Sequence, residues 1–169
     1  MAVLPVLVYP DERLKQLSIP VLDFDDGLRQ FIVDLEETLR AARGCVGLAA
    51  PQINRFQRIA IVDVSSRPKT PNHGRLILIN PQILRREGEL IGREGCLSIP
   101  DYTGNVSRAE RIHVRAQTLD GESRVYDCEG YEARAVQHEI DHLDGVVFLD
   151  KLISRRELFR RKNLVNEAH

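Results

Sequence analysis

No apolar run in the 169 residues approaches the length of a bilayer-crossing helix, so no membrane span is expected. The first ten residues are apolar, but Pro5 and Pro10 interrupt them, Asp11 and Glu12 follow, and neither a basic start nor a small-residue cleavage site accompanies them. A secretory signal is not expected. Neither sign of charge is in excess: 24 lysines and arginines stand against 25 aspartates and glutamates, which argues against a general polyanion or DNA binder. Cysteine is scarce and odd in number, at Cys45, Cys96 and Cys128. Without an export signal this favours reduced thiols or metal ligands over disulfides, and the expected location is cytoplasmic or an equivalent reducing compartment. Repeats, low-complexity tracts and linkers are also missing, so residues 1–169 are expected to form a single domain with a self-sufficient core.

The balanced total hides an uneven distribution. Residues 151–169 carry Lys151, Arg155, Arg156, Arg160, Arg161 and Lys162 against Glu157 and Glu167, a net charge of +4. Ser154 with Glu157 three residues on forms a capping box, which predicts a basic C-terminal helix over about 154–166. Any acidic partner is expected to meet this tail.

Asp25 and Asp26 are placed to cap a helix whose apolar positions Leu28, Phe31, Ile32, Leu35 and Leu39 recur at helical spacing, with Gly44 to end it. The small, apolar run from Cys45 to Gln52 reads as a buried loop, because Pro51 denies it a regular ladder. Residues 58–64 and 75–80 are strand-like and predict an antiparallel pair. Glu110 to Thr118 alternates Ile112, Val114, Ala116 and Thr118 inward, and Asp120-Gly121 signals a hairpin into Ser123–Tyr126. Strands cluster and helices flank them without regular alternation. The expected class is α+β, mostly antiparallel sheet around a central helix, with N-terminal and C-terminal helices.

That central helix carries the chemistry. In Tyr131–His142, His138 and His142 stand one turn apart on one helix face, where two imidazoles can share a metal ion. Glu139 follows the first of them, close enough to act on a water at the metal without being a third ligand. The H-E-x-x-H motif therefore reads as hydrolytic. One protease class extends it to H-E-x-x-H-x-x-G-x-x-H; this chain matches through Gly145 and then has Phe148 in place of the third histidine. Another class uses a downstream Glu, but Glu157 and Glu167 lie in a tail too short for the lobe such enzymes add. Upstream, the Arg93–Pro100 run offers Cys96 beside Gly95, and with the helix this thiol supplies the missing ligand.

Three motifs in order, Gly47-Leu48-Ala49-Ala50-Pro51-Gln52, Glu94-Gly95-Cys96-Leu97-Ser98 and His138-Glu139-Ile140-Asp141-His142, resemble the signature motifs of peptide deformylases, and Pro10–Leu14 is similar to the usual start of bacterial members. The resemblance covers essentially the whole chain. It implies removal of the formyl group from N-formylmethionine at the start of nascent chains, with release of formate. It also implies Cys96, His138 and His142 as ligands of one divalent metal ion, Fe(II) natively, with Ni(II), Co(II) or Zn(II) as substitutes. Glu139 becomes the proton carrier, and the Gln52 amide and the Leu97 N–H become donors to the oxyanion. The peptide is expected to lie extended beside Val46, Gly47 and Leu48 on one side and Gly92–Gly95 on the other. Tyr131, Arg134 and Ala135 are expected at the methionine pocket, with Val46 and Leu97 touching the side chain. Arg108 is expected to brace the region through a carboxylate.

Two positions stand out against the family pattern. The usual first glycine of the first motif is Cys45 here, read either as a reactive thiol beside the pocket or as a quiet buried one. Arg134 shares the ligand face of the helix, and a charge held at the pocket mouth would favour acidic residues downstream of the formylmethionine. A solvated arginine at the helix edge is the alternative. The resemblance also suggests ribosome contact by the basic tail, for which phosphate attraction is a physical basis. A zinc endopeptidase and a non-catalytic metal-stabilised module are the competing functions; retention of Glu139 and Gln52 disfavours the second, since structural metal sites close with four protein ligands.

Overall fold

A computed structural model of the chain describes residues 2–161. After a short 3-10 turn at Glu12–Lys15, helix α1 spans Asp26–Ala41. The Asp25 carboxylate caps it by accepting from the Leu28 N–H at 2.9 Å, and Leu28, Phe31, Ile32, Leu35 and Leu39 are all buried. Strands β1 (Gly47–Ala49), β2 (Ile59–Val62), β3 (Leu76–Glu87), β6 (Arg111–Gln117) and β7 (Ser123–Glu129) form one antiparallel sheet in the order β1-β2-β3-β6-β7. Strands β4 (Leu90–Cys96), β5 (Ile99–Arg108) and β8 (Leu158–Arg160) form a second, in the order β4-β5-β8. Helix α2, Gly130–Leu143, runs between them, entered through Gly130 at φ +58.

Side-chain parity explains why the larger sheet is covered on both faces. Successive residues of a strand point to opposite sides. In β2, Ile59 and Ile61 pack with α1, while Ala60 and Val62 pack with Ala133, Ala135, Val136 and Ile140 of α2. All four β2 residues are buried. β1 obeys the same rule: Leu48 faces α1, Ala49 faces α2, and so does Gly47, two residues before it. The opposite side of α2 meets the second sheet through Arg134, which bonds Glu94 and the Val106 carbonyl, and His138 stacks on Phe148 of the 3-10 turn Phe148–Lys151 with ring centroids 6.4 Å apart.

Several expectations change. The Cys45–Gln52 run is not a loop: Gly47–Ala49 pairs with β2, and Pro51 falls in a 3-10 turn over Ala50–Ile53, where its missing N–H interrupts no ladder. The β4–β5 hairpin was not expected as strands. The predicted C-terminal helix over 154–166 is also overturned for its described part. Ser154 caps only a 3-10 turn, Arg155–Glu157; Glu157 accepts from Asn105 Nδ2 at 2.6 Å, and Leu158–Arg160 pairs with Tyr102–Gly104 of β5. Burial of Leu158 beside Phe148 and Leu152 outweighs the local helix signal. Residues 162–166 of that prediction lie outside the described ones. Among the described residues, no helix is long and apolar enough to cross a membrane.

Candidate active site

Residues from two segments converge at the C-terminal half of α2. Cys96 ends β4, His138 and His142 lie one turn apart on α2, and their ligand atoms all fall within 4.8 Å of one another. Cys96 Sγ and His142 Nε2 are 3.3 Å apart, close to the separation of about 3.5 Å between sulfur and nitrogen on one tetrahedral ion. All three residues are buried.

A second group, His73, Cys128 and Glu132, shows the contrast. There His73 Nδ1 lies 2.6 Å from Glu132 Oε1, and the His73 N–H also donates to that carboxylate. Nitrogen and oxygen on one tetrahedral ion would stand about 3.4 Å apart. This group is a hydrogen-bonded lock between the loop before β3 and the start of α2.

Glu94 holds the ligand set in place. Its Oε1 is 2.8 Å from His138 Nδ1, which leaves the other ring nitrogen for a metal, and its carboxylate takes two hydrogen bonds of 2.9 Å from the Arg108 guanidinium and one of 2.7 Å from Arg134 Nη1. Arg108 also pairs with Asp141, so the fourth residue of the H-E-x-x-H motif is turned away from the metal side. Burial opposes the Glu94 charge, but the hydrogen bonds from Arg108 and His138 outweigh it and hold the carboxyl well below the usual range. Strand parity puts Glu94 and Cys96 on one side of β4, a signal from which its role could have been read.

Gln52 is oriented by its neighbours. Its Oε1 accepts from the Ala49 N–H at 2.9 Å, which turns Nε2 toward Ser98 Oγ at 3.0 Å and Cys96 Sγ at 3.6 Å. Ser98, which the sequence reading gave no separate role, thus fixes the orientation of the Gln52 amide. Gly47 leaves room for Glu139: a Cβ at position 47 would lie 2.5 Å from Oε2 and 2.9 Å from Cγ. Burial pushes the Glu139 carboxyl up to about 7, against the attraction of His138. Glu139 Oε1 is buried and has no hydrogen-bond partner. Three soft and borderline donors beside an unpartnered carboxylate oxygen fit a divalent metal with a water at an open position.

A cavity of about 340 Å³ opens onto this centre. It is lined by Val46, Gly47, Gln52, Gly95, Cys96 and Leu97 from one side, and by Tyr131, Arg134, Ala135, His138 and Glu139 from α2. Leu48 is the exception among the expected substrate contacts, since its side chain is fully buried with α1. β1 and β4, each at one edge of its sheet, flank the cavity with ladder edges that no described strand pairs. Arg134 is neither solvated nor a free charge at the mouth. It is 9% exposed and donates to Glu94 and to the carbonyls of Val106 and Leu90, at 2.7, 2.9 and 2.6 Å. Its partner lies 40 residues away in sequence, which is why the helix face alone misplaced it. Cys45 also lines the cavity, and burial raises its thiol pKa above the ordinary value. Arg93, in the run expected beside the peptide, also lines the cavity, as do Arg67, Thr103 and Arg161, which were not foreseen there.

Comparison with known proteins agrees with this geometry. A family model described as polypeptide deformylase matches residues 3–157. A peptide deformylase from Alkalilimnicola ehrlichii is 46% identical over 164 residues, covering 96% of this chain and 89% of that protein. Among solved structures, the peptide deformylase from Thermotoga maritima superposes with a TM-score of 0.82 at 36% identity, over 89% of this chain and 98% of that one. A Met-Ala-Ser-bound class I type b peptide deformylase from Acinetobacter baumannii gives the same score, identity and coverage. With the match extending from near the first residue to Glu157 and through the ligand-bearing helix, the chain belongs to the polypeptide deformylase family.

Proposed function

We propose that Cys96, His138 and His142 hold one divalent metal, and that Glu139 moves the proton, in the reaction this chain performs: hydrolytic removal of the N-formyl group from N-formylmethionine at the start of nascent polypeptides, with formate as product. The observation that carries the assignment is the buried, unpartnered Glu139 Oε1 beside the three converging donors. A metal in this site supplies Lewis acidity to the attacking water and to the formyl group. Glu139 accepts the water's proton and passes it to the leaving amine, one carboxylate serving as base and then as acid. As the formyl carbon becomes tetrahedral, charge gathers on its oxygen. Gln52 Nε2, fixed by Ala49 and Ser98, donates to that oxygen together with the Leu97 N–H, each worth about 3 kcal/mol in such a role.

The peptide lies extended between the edges of β1 and β4, where backbone pairing on both sides aligns it without regard to sequence. The methionine side chain enters the cavity beside Val46, Leu97, Tyr131 and Ala135. The Acinetobacter baumannii relative, solved with Met-Ala-Ser, supports a peptide beginning with methionine as occupant. Family membership is the basis on which we assign Fe(II) as the native ion, with Ni(II), Co(II) and Zn(II) as substitutes; a Cys/His/His set accepts each of them and does not choose among them. The cytoplasm is the compartment in which formylated nascent chains and a reduced Cys96 coexist. The net +4 charge of residues 151–169 suits contact with ribosomal RNA phosphates.

The test is formate release from formyl-Met-Ala-Ser by wild type and Glu139→Ala, prepared anaerobically and loaded in parallel with each ion. Release by wild type and its loss in the variant, with metal content equal, is expected. No release from folded, fully metallated wild type would defeat the assignment.

A further inference from the structure

We propose that Arg67, Arg93 and Arg161 form a cationic mouth to the active-site cavity that selects formylated peptides carrying acidic side chains just downstream of the methionine. The proposal rests on the deformylase reading of the site and names which of its substrates are favoured.

The three arginines come from three segments: the loop before β3, strand β4, and the chain just after β8. All are exposed and all line the cavity. The guanidiniums of Arg67 and Arg93 are held by uncharged contacts. The Arg67 guanidinium lies 4.1 Å from the Tyr131 ring centroid, and that of Arg93 lies 3.9 Å from the Phe159 centroid while donating to Asn105 Oδ1 at 3.1 Å and Thr103 Oγ1 at 3.3 Å. The Arg161 backbone N–H donates to the Asp101 carbonyl at 2.7 Å, and its Nη2 sits 3.2 Å from where a Cβ on Gly95 would stand. Among the described residues, none of the three forms an ion pair.

The other charges around the cavity are already committed. Glu94 is satisfied by Arg108, Arg134 and His138, and Arg134 is consumed by Glu94 and two carbonyls. Glu139 faces the reacting group. Three exposed guanidiniums therefore remain without counter-ions among the described residues along the cavity lining, and for Arg67 and Arg93 aromatic stacking limits the side-chain entropy lost on pairing with carboxylates. The acid preference first assigned to Arg134 thus belongs to different residues.

The experiment compares kcat/KM for formyl-Met-Ala-Glu-Glu-amide, formyl-Met-Ala-Ser-Ser-amide and formyl-Met-Ala-Lys-Lys-amide. The C-terminal amides separate side-chain charge from a terminal carboxylate. At low ionic strength the acidic peptide is expected to exceed the basic one by about tenfold, mainly through KM, with the contrast shrinking as salt is added. The triple variant Arg67→Gln, Arg93→Gln, Arg161→Gln should bring the ratio near one, whereas the corresponding lysine triple should keep most of it. Calorimetry with the deformylated peptides Met-Ala-Glu-Glu-amide and Met-Ala-Lys-Lys-amide reads the same preference without turnover. Equal values for the charge variants, or a ratio unchanged in the glutamine triple, overturn the proposal. Absence of turnover on all three peptides with the calorimetric preference intact would instead defeat the deformylase reading and leave the cationic mouth standing.

Discussion

Gly47→Ala isolates the placement of Glu139 from the presence of the metal. The added Cβ would stand 2.5 Å from Glu139 Oε2 and 2.9 Å from both its Cδ and Cγ. Comfortable carbon contacts begin at about 3.5 Å, so the carboxylate must retreat by roughly 0.6–1 Å. The atoms struck are the outer part of one side chain, and Oε1 has no hydrogen bond to lose, so the stability cost should sit near the low end of overpacking, about 1 kcal/mol, or about 2–4 °C in Tm for a chain of this size. Catalysis is less tolerant, since a displacement of about 1 Å in a reacting group costs on the order of 100-fold. Cys96, His138 and His142 are not among the atoms struck, so metal content should hold. The assay is kcat on formyl-Met-Ala-Ser with metal measured on the same sample, alongside thermal unfolding. A kcat within threefold of wild type at full metal loading would refute the steric argument. Loss of the metal together with activity would mean that Gly47 supports the ligands rather than the proton carrier.

Other perturbations probe the surrounding structure. Glu94→Gln keeps the shape but removes the charge shared by Arg108, Arg134 and His138; unfolding in urea should show a loss of about 3–5 kcal/mol, and metal titration a 10- to 100-fold weaker affinity. A loss below about 1 kcal/mol would show that Asp141 alone balances Arg108. Chelation should abolish formate release and lower Tm, and readdition of Fe(II) or Ni(II) should restore both; activity persisting in metal-free protein, verified by elemental analysis, contradicts the site. Burial holds the Cys45 thiol protonated to higher pH than an ordinary cysteine, so alkylation followed by mass spectrometry should be slow at pH 7 and accelerate only above the usual thiol pKa. Rapid modification at neutral pH would restore the reactive-thiol reading.

Much of this protein was legible in its residues because the signals were local or periodic. Asp25 and the apolar spacing after it defined α1, alternation defined β6 and its hairpin with β7, and the one-turn separation of His138 and His142 declared the half-site. The thiol of Cys96 beside Gly95 then offered the missing ligand, and motif likeness brought in Gln52, which no local period could have joined to the helix. Misreadings arose where a long-range partner overrode a local preference. Ser154 and Glu157 promise a helix, but β5 takes the segment as a strand and Asn105 takes the glutamate. Arg134 occupies the ligand face of α2, yet Glu94 and two strand carbonyls draw its charge inward. The β4–β5 hairpin, with Gly92, Gly95 and Gly104 and a partly exposed edge, lacks the alternation that announces a strand.

The sequence by itself determined the chemistry available: two imidazoles and a thiol for a metal, a carboxylate for a proton, and an amide for an oxyanion. Tertiary structure decided which charges remain free to act. Glu94, Arg108, Arg134 and Asp141 neutralise one another in the interior because unpaired charge there is prohibitively costly, whereas Arg67, Arg93 and Arg161, which form no ion pair among the described residues, keep theirs along the exposed lining of the cavity, where water makes an unpaired cation tolerable.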